Sequence, residues 1–153
     1  MKTKIDPRIA VPHYNAGKED LPFCIICDLD GTLALINGRS PYDHEVETDI
    51  VNYSVLHVLR KFNTMPIVIF SGREDKALKS SKKWLNNHMV PYTNIVFRKT
   101  GDTRKDSTVK QEMFEQHIHG KYRVLFVLDD RNQVVDMWRN LGIDCFQVYY
   151  GDF

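Results

Sequence analysis

Residues 23–32, Phe-Cys-Ile-Ile-Cys-Asp-Leu-Asp-Gly-Thr, constrain this chain more than any other stretch. Five mostly apolar, partly β-branched residues follow Pro22 and run into two carboxylates one residue apart, then Gly31. A short apolar run bounded by turn residues reads as a strand buried on both faces. Such a strand pushes Asp28 and Asp30 out at its carboxyl edge, where open α/β sheets bind their ligands. Two anionic side chains so close repel each other unless a cation sits between them or one holds a proton. Three kinds of chemistry use that arrangement: holding Mg²⁺ with hard oxygen ligands, nucleophilic attack by a carboxylate, and acid–base work by the second carboxylate. A strand ending in a polar turn also uses Asp and Gly, so the rest of the chain has to decide.

That rest alternates. Helices are expected at about 49–63, 74–89, 106–118 and 131–141, and further strands at 66–70, 94–98, 122–128 and 144–149. Val51, Val55, Val58, Leu59 and Phe62 recur at helical spacing, with Asp49 in the first turn of that helix. Ala77, Leu78, Trp84, Leu85 and Met89 share one face of the next. Lys76, Lys79, Lys82 and Lys83 lie mostly elsewhere and read as a solvated face, with a nucleic-acid backbone track as the alternative. Gly142 is placed to stop the last helix. Residues 33–48 read as a loop or small hairpin over the site edge. Strands alternating with helices predict an α/β, three-layer, Rossmann-like fold. It has a central parallel sheet of about five strands, helices on both faces and a minimal cap.

A chain of 153 residues suggests one domain, expected over 22–153. A polar N-terminal arm, 1–21, precedes it, with Ile9, Val11 and Tyr14 as possible anchors. The net charge of +1 excludes a global basic bias, so an anionic partner has to be met by a local cluster. Cys24 and Cys27 have redox spacing, but alternation along a strand puts them on opposite faces, and they read as core with Cys145. No spacing suggests a zinc site or a disulfide framework, so a reducing cytoplasm, bacterial or of a phage-infected host, is expected. No apolar stretch approaches membrane-spanning length and no signal-peptide pattern opens the chain, so no membrane partner is expected.

In the parallel arrangement one crevice gathers the strand carboxyl ends: Asp28 and Asp30, Ser71 and Arg73, Arg98, and Asp129 with Asp130. Carboxylates at two strand ends suit Mg²⁺. Arginines and a hydroxyl suit a phosphate. Metal, phosphate and a free carboxylate together suggest phosphoryl transfer.

Asp28-Leu-Asp30-Gly31-Thr32, then Ser71, a helical lysine, and Asp129-Asp130 resemble the four-motif signature of the haloacid-dehalogenase (HAD) phosphatase superfamily. Longer blocks are similar to the 3′-phosphatase domain of the T-even phage polynucleotide kinase/phosphatase. They are Asn37-Gly-Arg39, Pro41-Tyr-Asp43, Ser71-Gly-Arg73-Glu74, Gly101-Asp-Thr-Arg-Lys-Asp106, Asp129-Asp-Arg-Asn-Gln-Val-Val, and Gln147 with Gly151-Asp-Phe153. The resemblance covers about 23–153 in the same order.

The resemblance implies roles. Asp28 is the nucleophile that becomes phosphorylated. Asp30 is the general acid for the leaving 3′-oxygen and then the base that activates water, with its backbone carbonyl on the metal. Asp28, Asp30, Asp130 and Asp129 form the metal set, and the cofactor is Mg²⁺. Ser71 and Lys110 hold the transferring phosphoryl oxygens. Arg39, Arg73, Arg98, Asp106 and Thr32 belong to the substrate and phosphate group, and Asp106 orients Lys110 from one turn away. Asp106 as a helix cap, Asp129 as a loop holder and Arg131 as a surface ion pair remain alternatives. His44, His57, His88, His117 and His119 show no catalytic partner pattern.

The chain has no Gly-x-x-x-x-Gly-Lys-[Ser/Thr] loop, so no 5′-kinase activity is expected. The expected activity is a Mg²⁺-dependent polynucleotide 3′-phosphatase acting on DNA or RNA ends, with a separate kinase or ligase as a possible pathway partner. The alternatives are a HAD phosphatase of nucleotide or sugar phosphates, and a non-catalytic module that binds nucleic-acid ends.

Overall fold

Strand β1 (Phe23–Asp28) lies at the centre of a five-stranded parallel sheet. The computed structural model describes residues 3–40, 46 and 48–153. Pro41, Tyr42 and Asp43 of the similar blocks, and His44, lie outside the described residues. After β1 come β2 (Ala34–Leu35), β3 (Ile50–Val51), α1 (Tyr53–Lys61), β4 (Ile67–Glu74) and α2 (Leu78–Asn87). They are followed by β5 (Asn94–Arg98), α3 (Asp106–His117), β6 (Arg123–Arg131), α4 (Asn132–Asn140) and β7 (Cys145–Gly151). The sheet order is β5-β4-β1-β6-β7. The chain winds outward from β1 through β4 to β5, then crosses back to β6 and β7. The winding therefore reverses between β1 and β6, the position where doubly wound sheets open a ligand crevice.

Period-two alternation divides the core between the two faces of the sheet. Ile25, Cys27, Ile67 and Ile69 pack with Leu56 and Leu59 of α1 and Trp84 and Leu85 of α2. Cys24, Ile26, Val68 and Phe70 pack with Phe114 of α3 and Trp138 of α4. Cys24 and Cys27 are therefore on opposite faces, as expected, and all three cysteines are free and buried. Burial pushes the Cys24 thiol up to about 12 and raises those of Cys27 and Cys145 as well, which suits core residues and not reactive thiols.

The sequence expectations differ from the structure at element ends. The first helix starts at Tyr53, not at 49: Ile50 and Val51, both β-branched, pair with Leu35 and Ala34 in a two-stranded antiparallel ribbon. Asp49 thereby leaves the helix and turns inward, 4% exposed. The second helix opens with a 3₁₀ turn at Asp75–Ala77 and ends at Asn87. Leu78 and Met89, expected on its apolar face, are exposed, and Met89 takes a left-handed backbone (φ 52°) after the helix has ended. Strands β4 and β6 run on through Glu74 and Arg131, with register shifts between Ser71 and Glu74 and between Asp129 and Arg131. Such irregularities re-aim side chains at a sheet end.

The N-terminal segment is tied down by polar contacts more than by its aliphatic residues. Tyr14 is buried and its Oη donates to Tyr122 O at 2.8 Å. The Asn15 amide group bridges both backbone groups of Val124, at 2.7 and 2.8 Å. Ile9 and Val11 are exposed. No helix among the described residues is long and apolar enough to cross a membrane.

Candidate active site

Asp28 ends β1 almost wholly buried. Its Oδ1 accepts from Lys110 Nζ at 2.6 Å and its Oδ2 from Thr32 Oγ1 at 2.9 Å. Lys110, on α3, is 1% exposed. Its ammonium also lies 3.1 Å from Asp129 Oδ2 and 3.6 Å from Asp106 Oδ2. Burial alone would lower the lysine's pKa; the carboxylates of Asp129, Asp28 and Asp106 outweigh it and hold the ammonium charged. Burial and the neighbouring Asp129 push the Asp28 carboxyl well above the usual carboxylate range, with Lys110 working against them. Burial likewise raises Asp130.

Two glycines make this packing possible. Gly31 has φ +82°, a conformation that favours glycine. A Cβ on it would collide with the Asp130 carboxylate. A Cβ on Gly72 would sit 2.6 Å from Asp106 Oδ1. The Asp-Gly-Thr turn after β1 and the Ser-Gly-Arg end of β4 thus each leave a gap that a carboxylate fills. Leu29, between the two site aspartates, points into the core at 0% exposure, so Asp28 and Asp30 share the polar side of the turn.

The Asp30 carboxylate is held by a guanidinium fork. Arg73 donates from Nε at 2.6 Å and also from Nη2, and Arg39 Nη2 lies 3.4 Å away. Behind both arginines sits Asp49. It accepts from Arg39 Nε at 2.7 Å and Nη2 at 2.8 Å, and from Arg73 Nη2 at 3.0 Å. Its backbone carbonyl accepts from Trp84 Nε1 at 3.0 Å, fixing it against α2. On the other side Arg98 donates to the backbone oxygens of Gly72, Asp102 and Arg104 and to Asp106 Oδ1, and so clamps the loop before α3.

The result is a cleft of about 190 Å³ lined by Asp28, Asp30, Arg73, Lys110, Asp130 and Arg131, among others, with Phe153 at its edge. Asp28, Asp129 and Asp130 each bring a carboxylate oxygen within 4.8 Å of the others. Lys110 is one ammonium beside three carboxyl groups, so their full ionisation leaves negative charge in excess. Like charges about 4 Å apart repel by about 4 kcal/mol even at an effective dielectric of about 20. A hard divalent cation fits that excess and that donor set. Within the cluster Asp129 is already engaged: its Oδ1 accepts from the Asp130 and Arg131 N–H groups and its Oδ2 from Lys110. Asp130 accepts the longer approach of Thr32 Oγ1, at 3.3 Å.

Residues 22–153 match the family model of the polynucleotide kinase PNKP phosphatase domain. The chain belongs to that family. It is a HAD-type phosphatase. The chain is 33% identical over 139 residues to an Autographa californica nuclear polyhedrosis virus protein provisionally named a bifunctional polynucleotide kinase/RNA ligase. That match covers 86% of this chain and 20% of the viral protein. A structure of the Pnkp1/Rnl/Hen1 RNA repair complex superposes with TM-score 0.85 and 45% identity, over 88% of this chain and 45% of the other. The chain thus spans less than half the length of either relative. The class C acid phosphatase from Bacillus anthracis shares the fold, with TM-score 0.55 at 19% identity over 77% of this chain and 55% of that one.

The PNKP-type site brings together Asp28, Asp30, Arg39, Arg73, Arg98, Asp106, Lys110, Asp129 and Asp130. Thr32, expected among the phosphate-binding residues, is wholly buried, and its Oγ1 donates to Asp28 Oδ2 and approaches Asp130 Oδ1. Ser71 is also wholly buried, and its Oγ accepts the Arg73 N–H at 3.1 Å. Arg39, Arg73 and Arg98 direct these donors at protein oxygens, and Arg73 and Arg98 line the cleft. Asp106 reaches Lys110, Arg98 and Arg131 from the first position of α3, where Lys105 is the cap residue. The sequence reading missed Asp49, which helical periodicity had assigned to a first turn, and the cleft position of Arg131 and Phe153. The extended propensity of Ile50-Val51 was the signal that could have freed Asp49 from the helix.

Proposed function

We propose that this domain is a Mg²⁺-dependent polynucleotide 3′-phosphatase that works through an aspartyl-phosphate. The observation that carries the reading is the Asp28–Lys110 pair beside Asp130 in a PNKP-family cleft. Asp28 attacks the terminal phosphorus and the bond from phosphorus to the 3′-oxygen breaks. Asp30, aimed by Arg73, donates its proton to that oxygen. Asp30 then takes a proton from water, the water oxygen attacks the phosphorus, and the Asp28–phosphorus bond breaks to free inorganic phosphate. Lys110 holds Asp28 in place and offsets negative charge as the phosphate arrives. Asp28, Asp130 and Asp129, with the Asp30 carbonyl, would hold Mg²⁺, which would supply positive charge for the transferring phosphoryl group.

Similarity to a viral polynucleotide kinase/RNA ligase and to a protein of the Pnkp1/Rnl/Hen1 RNA repair complex favours RNA ends as the substrate. It also favours a setting in which kinase and ligase steps follow on the same polypeptide or in a complex. The insert after β1 is short, with a two-residue-per-strand ribbon in its described part, and so small a cap suits a polymer end. A mononucleotide phosphatase is the competing reading.

The test is phosphate release from a 3′-phosphorylated oligonucleotide with Mg²⁺. Controls are a 5′-phosphorylated oligonucleotide, a 3′-mononucleotide, EDTA, and Asp28→Asn. The expected result is metal-dependent release from the 3′-phosphorylated oligonucleotide, lost in Asp28→Asn. Release mainly from the mononucleotide would move the substrate to small molecules.

A further inference from the structure

Phe153 is an apolar ring in a place built for ions. It lines the cleft shared by Asp28, Asp30, Lys110 and Asp130, yet it is 67% exposed. Its main chain is fixed: the carbonyl accepts from Arg131 Nε at 2.7 Å and Gln133 Nε2 at 3.1 Å, and its N–H donates to Gly151 O at 3.1 Å. The Arg131 guanidinium lies over the ring, 4.7 Å from its centroid. Arg131 also reaches Asp106 Oδ2 at 3.6 Å, so the backing group is itself anchored to the site. The approach of the tail depends on Gly151, which pairs with Arg131 in the sheet. A Cβ there would sit 2.6 Å from Asp130 O.

An exposed ring with a cation behind it and a phosphate site beside it has the form of a stacking platform. Bases stack on such rings without regard to sequence, since every base has a π-face. We propose that Phe153, backed by Arg131, stacks the base of the 3′-terminal nucleotide and thereby selects a nucleotide end over a base-free phosphate monoester. The inference rests on the 3′-phosphatase reading and adds a binding residue to it.

The experiment compares two 3′-phosphorylated oligonucleotides, one with a terminal base and one whose terminal sugar is abasic, in wild type, Phe153→Ala and Phe153→Trp. In wild type the abasic end has the higher KM. Phe153→Ala raises KM for the base-bearing end by roughly ten-fold, so the KM ratio between the two substrates collapses toward one, and Phe153→Trp restores it. A Phe153→Ala variant that keeps the wild-type ratio overturns the inference, whether its KM is unchanged or raised equally for both. A wild type that acts on neither oligonucleotide overturns the 3′-phosphatase reading and this inference with it; one that acts on both with equal KM overturns the inference alone.

Discussion

Lys110 Nζ and Asp28 Oδ1 lie 2.6 Å apart, each almost wholly buried and each from a different layer of the fold. The pair joins the end of β1 to the second turn of α3. Removing one partner of a buried pair leaves the other charge uncompensated, at a cost of about 3–5 kcal/mol. Lys110→Met leaves Asp28, Asp129 and Asp106 without their shared ammonium. Thermal unfolding is expected at a lower Tm, and Mg²⁺ is expected to recover part of the loss. The rate of phosphate release is expected to fall by at least about a hundred-fold, as for loss of a charge-stabilising donor. A Lys110→Met enzyme with wild-type turnover would remove this lysine from the chemistry.

Asp49 does no chemistry in this arrangement; it positions. It holds Arg39 and Arg73, which hold Asp30. Asp49→Asn keeps the shape and loses the charge. Turnover is expected to drop by roughly ten- to a hundred-fold, in line with the loss of a charged hydrogen-bond network of about 1.5–3 kcal/mol. Asp49→Asn should lower kcat far more than it alters KM. An equal change in KM alone would place Asp49 in ground-state binding instead.

Gly31 is expected to tolerate no side chain. Gly31→Ala combines a left-handed backbone with a collision at the Asp130 carboxylate. The backbone term alone costs about 1–2 kcal/mol. Chemical denaturation should show at least that loss, and isothermal titration should show weakened Mg²⁺ binding as Asp130 is displaced. Gly17→Ala is the control: its φ is +76° but nothing lies within 4 Å of the added methyl. It should lose the backbone share of the stability and leave Mg²⁺ binding intact.

Metal binding is expected to strengthen as pH rises. Burial, followed by the Asp129 charge, raises the Asp28 carboxyl, and burial raises that of Asp130. A group whose folded-state pKa is raised stabilises the metal-free protein below its unfolded value, and that stabilisation is lost as pH rises through the folded value. Mg²⁺ binds the ionised oxygens and releases the protons. The Tm increment produced by Mg²⁺ should therefore grow from mildly acidic pH toward neutrality and beyond. A pH-independent increment would show that these carboxylates are already ionised in the metal-free protein.

Much of the architecture was legible because its signals are local. The apolar run of β1 and the alternation of strands and helices imply a parallel sheet. Sheets of that kind gather strand ends at one edge, and so Asp28, Asp30, Arg73, Arg98, Asp129 and Asp130 could be grouped before any coordinates. The spacing of Asp106 and Lys110 placed them on one helix face. The start of α1 was misread because Val51 fits a helical period as well as it fits a strand. Its pairing with Ala34 settles the matter, and that contact is seventeen residues away along the chain.

By itself, then, the sequence determined the α/β layers and which residue types meet at the carboxyl edge, because hydrophobic period and turn chemistry act over a few residues, and its motif blocks carried the resemblance to the family. Only the tertiary structure decided how each charged group is used. Asp49 faces the arginines, Thr32 binds carboxylates, Asp129 serves Lys110, and Phe153 overhangs the cleft. Those outcomes depend on which oxygen lies within about 3 Å of which donor. Those distances are set where elements far apart along the chain pack together, as Asp49 with Arg73 and Asp28 with Lys110.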